Sequence, residues 1–276
     1  MSMKIDKKNK VVYYTDDIND DTSRFNTRKV SIDDKYSYLP TSILYKFSSG
    51  VFYYFFAKPI LYFITIFIQK IKVRGIKNIR NLKNTGYIIY CNHTHFSDAY
   101  IMPTRITGFK RTYIICDKLS LGIPIVNKLV KGLGGLPCPD TKTATINLNK
   151  VVDSLLEKKK AIVVYPEAHI WKYFTGTREF PATSFKFASR NNVPVVPIAV
   201  TYEKHKILSR YRKPRMIYNI GKPIYSKLDL SVKENAQYLR DETFTYIKNI
   251  VDCENNYSYY KYIKTDPEDL EKIKIC

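Results

Sequence analysis

From residue 86 onward, short apolar segments alternate with longer segments in which apolar residues recur every three or four positions. The short segments are rich in β-branched and aromatic residues, which is typical of buried strands, and they cover residues 86–90, 112–116, 161–165, 195–200 and 216–220. The longer segments predict helices at 99–106, 119–130, 141–157 and 183–190. This alternation predicts the α/β class, with a mixed, largely parallel sheet that carries helices on both faces.

The pattern also divides the chain into four parts. Residues 1–40 are polar and carry charges of both signs, so we expect a polar N-terminal extension that lies on the main domain. Residues 41–85 are basic and aromatic, residues 86–225 hold the alternating pattern of the main domain, and residues 226–276 form a C-terminal helical segment. Within this last part, helices are predicted at 231–252 and at 266–276.

The most apolar segment, residues 51–68, is interrupted only by Lys58 and Pro59. A helix that spans a membrane needs about 20 apolar residues without a central charge and proline. Two short helices that dip into one leaflet, hinged at Lys58-Pro59, fit the segment better and predict a membrane-associating helical hairpin. The alternative is a core hairpin of a soluble fold. Because residues 36–97 contain Lys and Arg but no Asp or Glu, a membrane surface is favoured.

Charge narrows the range of partners. The chain has 276 residues, with 46 Lys and Arg against 25 Asp and Glu, and its net charge of +21 predicts an anionic partner. Nucleic acid, an acidic membrane surface and a phosphorylated substrate all satisfy this, but no nucleic-acid-binding motif is recognisable, so no nucleic acid is expected. Five scattered cysteines without a C-x-x-C pair, and no secretory signal, indicate a reducing, cytosolic setting.

The polar loop between the strand at 86–90 and the helix at 99–106 contains His93 and Asp98. Loops at the carboxyl ends of strands are where α/β proteins place their chemistry. On one regular helix the two side chains would point about 140° apart, so they meet only if His93 lies in the loop and Asp98 in the first helical turn. The carboxylate would then fix one ring nitrogen and leave the other free to take a proton. Alternatively, Asp98 caps the helix, and His93 and His95 are ordinary loop histidines.

A second polar segment follows the strand at 161–165. Pro166 ends this strand, and Glu167 would enter the same crevice as His93 if the two strands are neighbours. A carboxylate in that position could bind a substrate hydroxyl. The alternative is a surface glutamate after a strand.

Four short motifs occur in order along the chain: Asn92-His93-x4-Asp98, Gly134-Gly135-Leu136, Tyr165-Pro166-Glu167 and Val193-Pro194-Val195-Val196-Pro197. Together they resemble the four motif blocks of the glycerolipid acyltransferases, and most closely those of the lysophosphatidic acid acyltransferases. The form YPEAHIW at residues 165–171 resembles a bacterial, clostridium-like branch. The resemblance covers approximately residues 47–224.

The resemblance implies an enzyme at the cytoplasmic face of the membrane that transfers a fatty acyl group in phospholipid biosynthesis. The donor would be a thioester, acyl-CoA or acyl carrier protein, and the acceptor the free hydroxyl of lysophosphatidic acid or a related lysophospholipid. His93 would be the general base, and Asp98 would orient it. General-base catalysis typically raises the rate by about 10² to 10⁴. Glu167 would position the acceptor, with Asn92 and Pro166 in the same substrate-binding set. No cofactor and no metal is implied.

Two departures from the family pattern concern the phosphate of the acceptor. The family's third block continues after Pro-Glu with Gly-Thr-Arg, whose arginine is thought to hold the phosphate, whereas the residues here are Ala168-His169-Ile170. An arginine usually follows the Gly-Gly block as well, where this chain has LPCPD. Arg178, Lys172 and His169 are therefore the candidates for phosphate binding, in that order, because arginine can hold phosphate through two parallel hydrogen bonds.

Other interpretations stay open beside this one. A catalytically silent membrane-binding or lipid-binding protein of the same fold would account for the replaced arginine positions. Nucleic-acid binding rests on the net charge alone. A serine hydrolase of the α/β type would need a G-x-S-x-G elbow, which the sequence lacks.

Overall fold

The computed structural model of the chain describes residues 3–22, 30–122, 126–205, 213–253 and 256–273, and only the backbone at 126–129. The strands in these residues are β1 (Lys4–Asp6), β2 (Val11–Tyr14), β3 (Lys72–Arg74), β4 (Tyr87–Cys91), β5 (Thr112–Cys116), β6 (Gly135–Pro137), β7 (Ala161–Val164), β8 (Val195–Glu203), β9 (Arg215–Ile220) and β10 (Lys261–Lys264). The five predicted strands are confirmed as β4, β5, β7, β8 and β9. The remaining strands have only three or four residues each, too few for a periodic signal.

The main sheet has the strand order β3-β9-β8-β4-β7-β5-β6. All neighbours are parallel except β8 and β9, which are antiparallel, so the predicted mixed, largely parallel sheet is confirmed. The central strand β4 lies between β7 and β8, and all five of its residues are buried. Each large apolar side chain buried in this way contributes about 1.5–3 kcal/mol. Because β4 and β7 are parallel neighbours, the loops that follow them leave the same edge of the sheet.

The helices are α1 (Ile43–Val51), α2 (Lys58–Phe63), α3 (Asp98–Ile101), α4 (Val126–Leu133), α5 (Lys142–Glu157), α6 (Lys186–Arg190), α7 (Val232–Val251) and α8 (Pro267–Lys272). Ile88 and Tyr90 of β4 pack in one apolar cluster with residues of α5, α6 and α7. Ile89, on the opposite side of the strand, packs in a second cluster with residues of α3. Helices therefore cover both faces of the sheet, as predicted.

The helix boundaries differ from the prediction in small ways. The predicted helix at 99–106 is α3 continued by a π-helical turn, Met102–Ile106, and that at 183–190 begins with a 3₁₀ turn, Ala182–Phe185. The segment predicted at 119–130 contains a 3₁₀ helix, Lys118–Gly122, and α4, while residues 123–125 lie outside the described residues. The same holds for residues 274–276 at the end of the predicted C-terminal helix.

The apolar N-terminal segment is one continuous helix, and the predicted hairpin is wrong. A π-helical turn, Phe52–Ala57, joins α1 to α2, and a second π turn carries the helix to Ile68, so it runs over Ile43–Ile68. Pro59 enters in the first turn of α2, directly after the wider π turn. There the missing N–H and the proline ring are accommodated without a break. This apolar helix is long and apolar enough to cross a membrane.

A second, three-stranded sheet is built from the two ends of the chain. β1 pairs antiparallel with β2, and β10 pairs parallel with β2. Met3 and Val12 pack against Trp171 from the segment after β7, and the Trp171 indole N–H donates to the carbonyl oxygen of Asp20 at 2.7 Å. The N-terminal strands thus contact the main domain beside the loop that follows β7.

Candidate active site

His93 lies in the loop after β4, and Asp98 is the first residue of α3. This is the arrangement in which the two side chains can meet, and His93 Nδ1 lies 3.0 Å from Asp98 Oδ2. An ionised carboxylate can only accept, so Nδ1 carries the proton and Nε2 presents a lone pair. The His93 side chain is 13% exposed while that of Asp98 is fully buried. The geometry therefore suits a histidine that takes a proton on Nε2.

Several donors hold the Asp98 carboxylate in place. Its Oδ2 also accepts from the backbone N–H groups of Thr94 at 3.1 Å and His95 at 2.9 Å. Its Oδ1 accepts a hydrogen bond from the hydroxyl of Tyr218. The two backbone N–H groups precede α3, so Asp98 ties down the loop backbone and orients His93, and the alternative in which its side chain caps the helix is not supported.

Two tyrosines complete the surroundings of the pair, of which Tyr165 stands out in the sequence only as a member of a motif and Tyr218 does not stand out. Tyr218 lies on β9, and Tyr165, which directly follows β7, stacks on the His93 ring with centroids 4.1 Å apart. Burial raises the pKa of both phenols well above the usual value, so both stay protonated. In the sequence Tyr218 is an aromatic residue within an apolar strand, and no local signal separates it from a core residue.

Glu167 follows β7 and reaches the same loop. Its Oε2 accepts from the backbone N–H of His93 at 3.1 Å and from Arg178 Nη2 at 2.9 Å. The Arg178 backbone N–H lies 3.4 Å from Oε1. Only 1% of the Glu167 side chain is exposed. These contacts position the His93 loop through its backbone, and the predicted contact of Glu167 with the acceptor stays a prediction.

The tripeptide Gly176-Thr177-Arg178 occurs in this chain, eight residues after the position that the resemblance predicts. Residues 168–175, here called the inserted segment, fold back along the loop after β4, where the backbone N–H of Trp171 donates to the His93 carbonyl oxygen at 3.1 Å. Tyr173 N–H donates in the same way to Thr94 at 3.0 Å. The chain thereby returns to bring Arg178 against Glu167. The displaced tripeptide was a readable signal in the sequence.

The other candidates for phosphate binding lie on the inserted segment. His169 Nδ1 lies 3.3 Å from Asp21 Oδ2 of the N-terminal extension, and this hydrogen bond raises the pKa of His169. Burial lowers the pKa of Lys172, and the nearby charge of Lys213 lowers it further. Arg178 is buried, and its Nη2 also donates to the carbonyl oxygen of His169. The structure therefore does not bring these three cations together on one open surface.

Asn92 and Pro166 are the remaining residues of the predicted substrate-binding set. The Asn92 side chain is fully buried and makes two hydrogen bonds to the Val200 backbone, accepting at 2.8 Å and donating at 3.3 Å. It thereby ties the end of β4 to β8. Pro166 is half-buried in the turn after β7. A direct substrate contact of either residue stays a prediction.

A cavity of about 600 Å³ opens beside this loop. Its lining includes Phe67 and Lys70 at the end of the apolar helix, His95 and Phe96 from the loop, and Lys213 before β9. His93 is not part of the lining, but it lies two residues before His95. The cavity thus adjoins the loop that carries the candidate base.

The fold and the paired His93 and Asp98 define an α/β protein with a histidine–aspartate pair at the carboxyl edge of its sheet. A family model described as Acyltransferase matches residues 70–201, a segment that runs from the end of the apolar helix through most of β8. The match covers just under half of the chain and shows that these residues are similar to the acyltransferase family, in agreement with the predicted family. The clostridium-like branch stays a prediction.

Among solved structures, the 1-acyl-sn-glycerophosphate (LPA) acyltransferase PlsC from Thermotoga maritima is similar to this chain. The TM-score is 0.50, and the match covers 76% of this chain and 95% of that chain at 16% sequence identity. At this identity the likeness shows a shared fold. The comparison with curated proteins found no match.

Proposed function

We propose that the protein transfers a fatty acyl group from a thioester, acyl-CoA or acyl carrier protein, to the free hydroxyl of lysophosphatidic acid or a related lysophospholipid. The observation that carries this proposal is the bond between His93 Nδ1 and Asp98 Oδ2, which leaves Nε2 as a proton acceptor. The acyltransferase family of residues 70–201 and the fold shared with PlsC support the same reaction class.

The reaction needs one base, and it replaces the thioester bond of the donor with an ester bond to the acceptor. His93 Nε2 takes the proton from the acceptor hydroxyl as its oxygen attacks the thioester carbonyl carbon. The bond from this carbon to sulfur then breaks, and the proton passes from the imidazolium to the departing thiolate. The products are an ester and a free thiol. Asp98 stabilises the imidazolium, because its carboxylate is already fixed by the Thr94 and His95 amides.

The apolar helix supports an acceptor that is drawn from a membrane surface. Its phenylalanines point to solvent, with Phe55 74%, Phe63 56% and Phe67 61% exposed. A contiguous apolar patch of this kind marks an interaction with a membrane or another apolar partner. Since the helix ends at the cavity beside the His93 loop, a lysolipid in the membrane plane has a short path to the site.

Release of free thiol by the purified protein in detergent, with acyl-CoA or acyl carrier protein and lysophosphatidic acid, tests the proposal. We expect His93→Ala to reduce kcat by about 10² to 10⁴ while the protein remains folded, as judged by circular dichroism. Lys233→Ala, an exposed charge on α7, is the control and is expected to match the wild type.

Near-normal turnover by His93→Ala would show that the base is assigned wrongly. Absence of thiol release by the wild-type protein with every acceptor and donor, combined with binding to lipid vesicles, would instead identify a catalytically silent lipid-binding protein of the same fold.

A further inference from the structure

The cavity beside the His93 loop has one apolar side and one cationic side. Phe67 and Ile68, at the end of the apolar helix, form the apolar side and are largely exposed. Lys70 and Lys213 lie on the same lining, although they are far apart in the sequence. A groove with this division fits a ligand that has an anionic group next to an acyl chain.

Within the described residues, neither lysine has an acidic partner. The described part of the chain contains eleven ion pairs, and none of them involves Lys70 or Lys213. Both lysines are exposed. The pKa of Lys172 is lowered first by burial and then by the nearby positive charge of Lys213. The cationic side of the cavity therefore has charge available for an anion.

His95 adds a neutral donor to the lining. The Ser97 backbone N–H donates to His95 Nδ1 at 3.2 Å, and because this group can only donate, Nδ1 is unprotonated and Nε2 carries the hydrogen. Burial lowers the pKa of His95 to about 4, so the ring is neutral at neutral pH. The nearest partner of Nε2 is the hydroxyl of Tyr173, at 3.5 Å. This distance is too long for a strong bond, so Nε2–H is available to a ligand.

We propose that this cavity is the site of the phosphate monoester of the acceptor lipid, held by Lys70 and Lys213 and by a hydrogen bond from His95 Nε2. The inference rests on the proposed acyl transfer, and it assigns the phosphate to residues outside the motif blocks. Arg178, the first candidate from the sequence, is 5% exposed, paired with Glu167 and absent from the cavity lining. The acyl chain of the acceptor then lies along Phe67 and Ile68 toward the membrane, and its glycerol extends toward His93.

The test compares two acceptors, lysophosphatidic acid and the uncharged 1-acylglycerol with the same chain, by the ratio of their kcat/KM values. We expect Lys70→Ala and Lys213→Ala each to lower this ratio about tenfold, and Lys213→Arg to retain it, because charge-assisted hydrogen bonds to phosphate are lost only in the alanine variants. Lys233→Ala is the matched control. In the wild type, raising the salt concentration should lower the ratio as well, because the interaction is screened.

A binding measurement separates this inference from the proposed reaction. Calorimetry with short-chain lysophosphatidic acid and the His93→Ala protein needs no turnover, and we expect affinity to fall about tenfold when Lys213→Ala is added. An unchanged acceptor ratio and unchanged affinity in both lysine variants would overturn the proposal in favour of Arg178. A rise in the KM of acyl-CoA at an unchanged acceptor ratio would also overturn it, since the cavity would then hold the phosphates of the donor.

Discussion

The Asp98 carboxylate contacts more of the candidate site than His93 alone. It accepts from His93, from two backbone amides and from the Tyr218 hydroxyl, and it has no exposed surface. A buried carboxylate depends on such donors, because each replaces a lost contact with water. Tyr218 is therefore a positioning residue that acts on His93 through Asp98.

We expect Tyr218→Phe to lower kcat roughly 10- to 100-fold and to leave the acceptor KM unchanged, because a hydrogen bond to a charged group contributes about 1.5–3 kcal/mol. Steady-state kinetics measures both constants. Tyr202→Phe is the matched control, since its hydroxyl lies 3.4 Å from the Thr94 carbonyl oxygen instead of a carboxylate. Equal losses in the two variants would point to general damage to the core and contradict the positioning role.

The pairing of His93 with Asp98 could be predicted because both residues lie in one loop, where spacing alone limits the geometry. Tyr218 could not, because it contacts Asp98 across 120 residues of sequence. That contact depends on the antiparallel register of β8 and β9, in which Tyr218 is opposite Val200. No local pattern of apolar residues specifies which side chain of a strand reaches a distant carboxylate.

At the scale of elements, the inserted segment is clamped by both ends of the chain. Trp171 is buried between Tyr14 of β2, at 4.6 Å between ring centroids, and Tyr262 of β10, at 5.2 Å. The Thr22 hydroxyl donates to the Ile170 carbonyl oxygen at 2.6 Å. Since the backbone of this segment also donates a hydrogen bond to the His93 carbonyl oxygen, the small sheet helps to hold the candidate active site in place.

Trp171→Ala should lower the free energy of unfolding by about 3–5 kcal/mol, because it removes a fully buried ring and leaves a cavity. Turnover should fall as well, since the inserted segment loses its anchor. Urea unfolding and thiol release measure the two effects. Trp171→Phe keeps an aromatic ring in place and loses only the indole N–H, so its loss should be clearly smaller. An unfolding midpoint of Trp171→Ala equal to that of the wild type would show that the small sheet does not anchor the segment.

The main sheet was predictable because its central strands are buried on both faces and read as short apolar segments. The small sheet was not, because β2 and β10 pair in parallel from opposite ends of the chain and have four residues each. The apolar helix was recognised by its composition, but its shape was predicted wrongly. The expected break at Pro59 assumes a regular α-helix, and the π turn before it removes the steric conflict.

For the whole molecule, the placement of the chain on either side of the apolar helix restricts how it meets a membrane. Before the helix, Ile32 and Tyr38 are buried in the main core, and Ile32 exchanges hydrogen bonds with Asp140. After the helix, β3 joins the main sheet. The helix itself contacts the domain along its length, for example where the Tyr54 hydroxyl donates to the Phe109 carbonyl oxygen at 3.1 Å. Both flanks thus belong to one folded body, so we expect the helix to lie in the plane of a membrane instead of crossing the bilayer.

This orientation predicts that both flanks of the helix are accessible from the same side of a membrane. Single cysteines at Ser37 and Lys77, both exposed, would be labelled with a membrane-impermeant maleimide in a background that retains only the fully buried Cys91. Lys233→Cys on α7, which packs against the main sheet, marks the side of the main domain. In sealed vesicles of either orientation, we expect all three positions to react together or to be protected together. Labelling of Ser37→Cys from one side and of Lys77→Cys and Lys233→Cys from the other would require the helix to span the bilayer. The packing of Ile32 and Tyr38 into the core would then have to be lost in the membrane, at a cost of several kcal/mol of buried apolar surface.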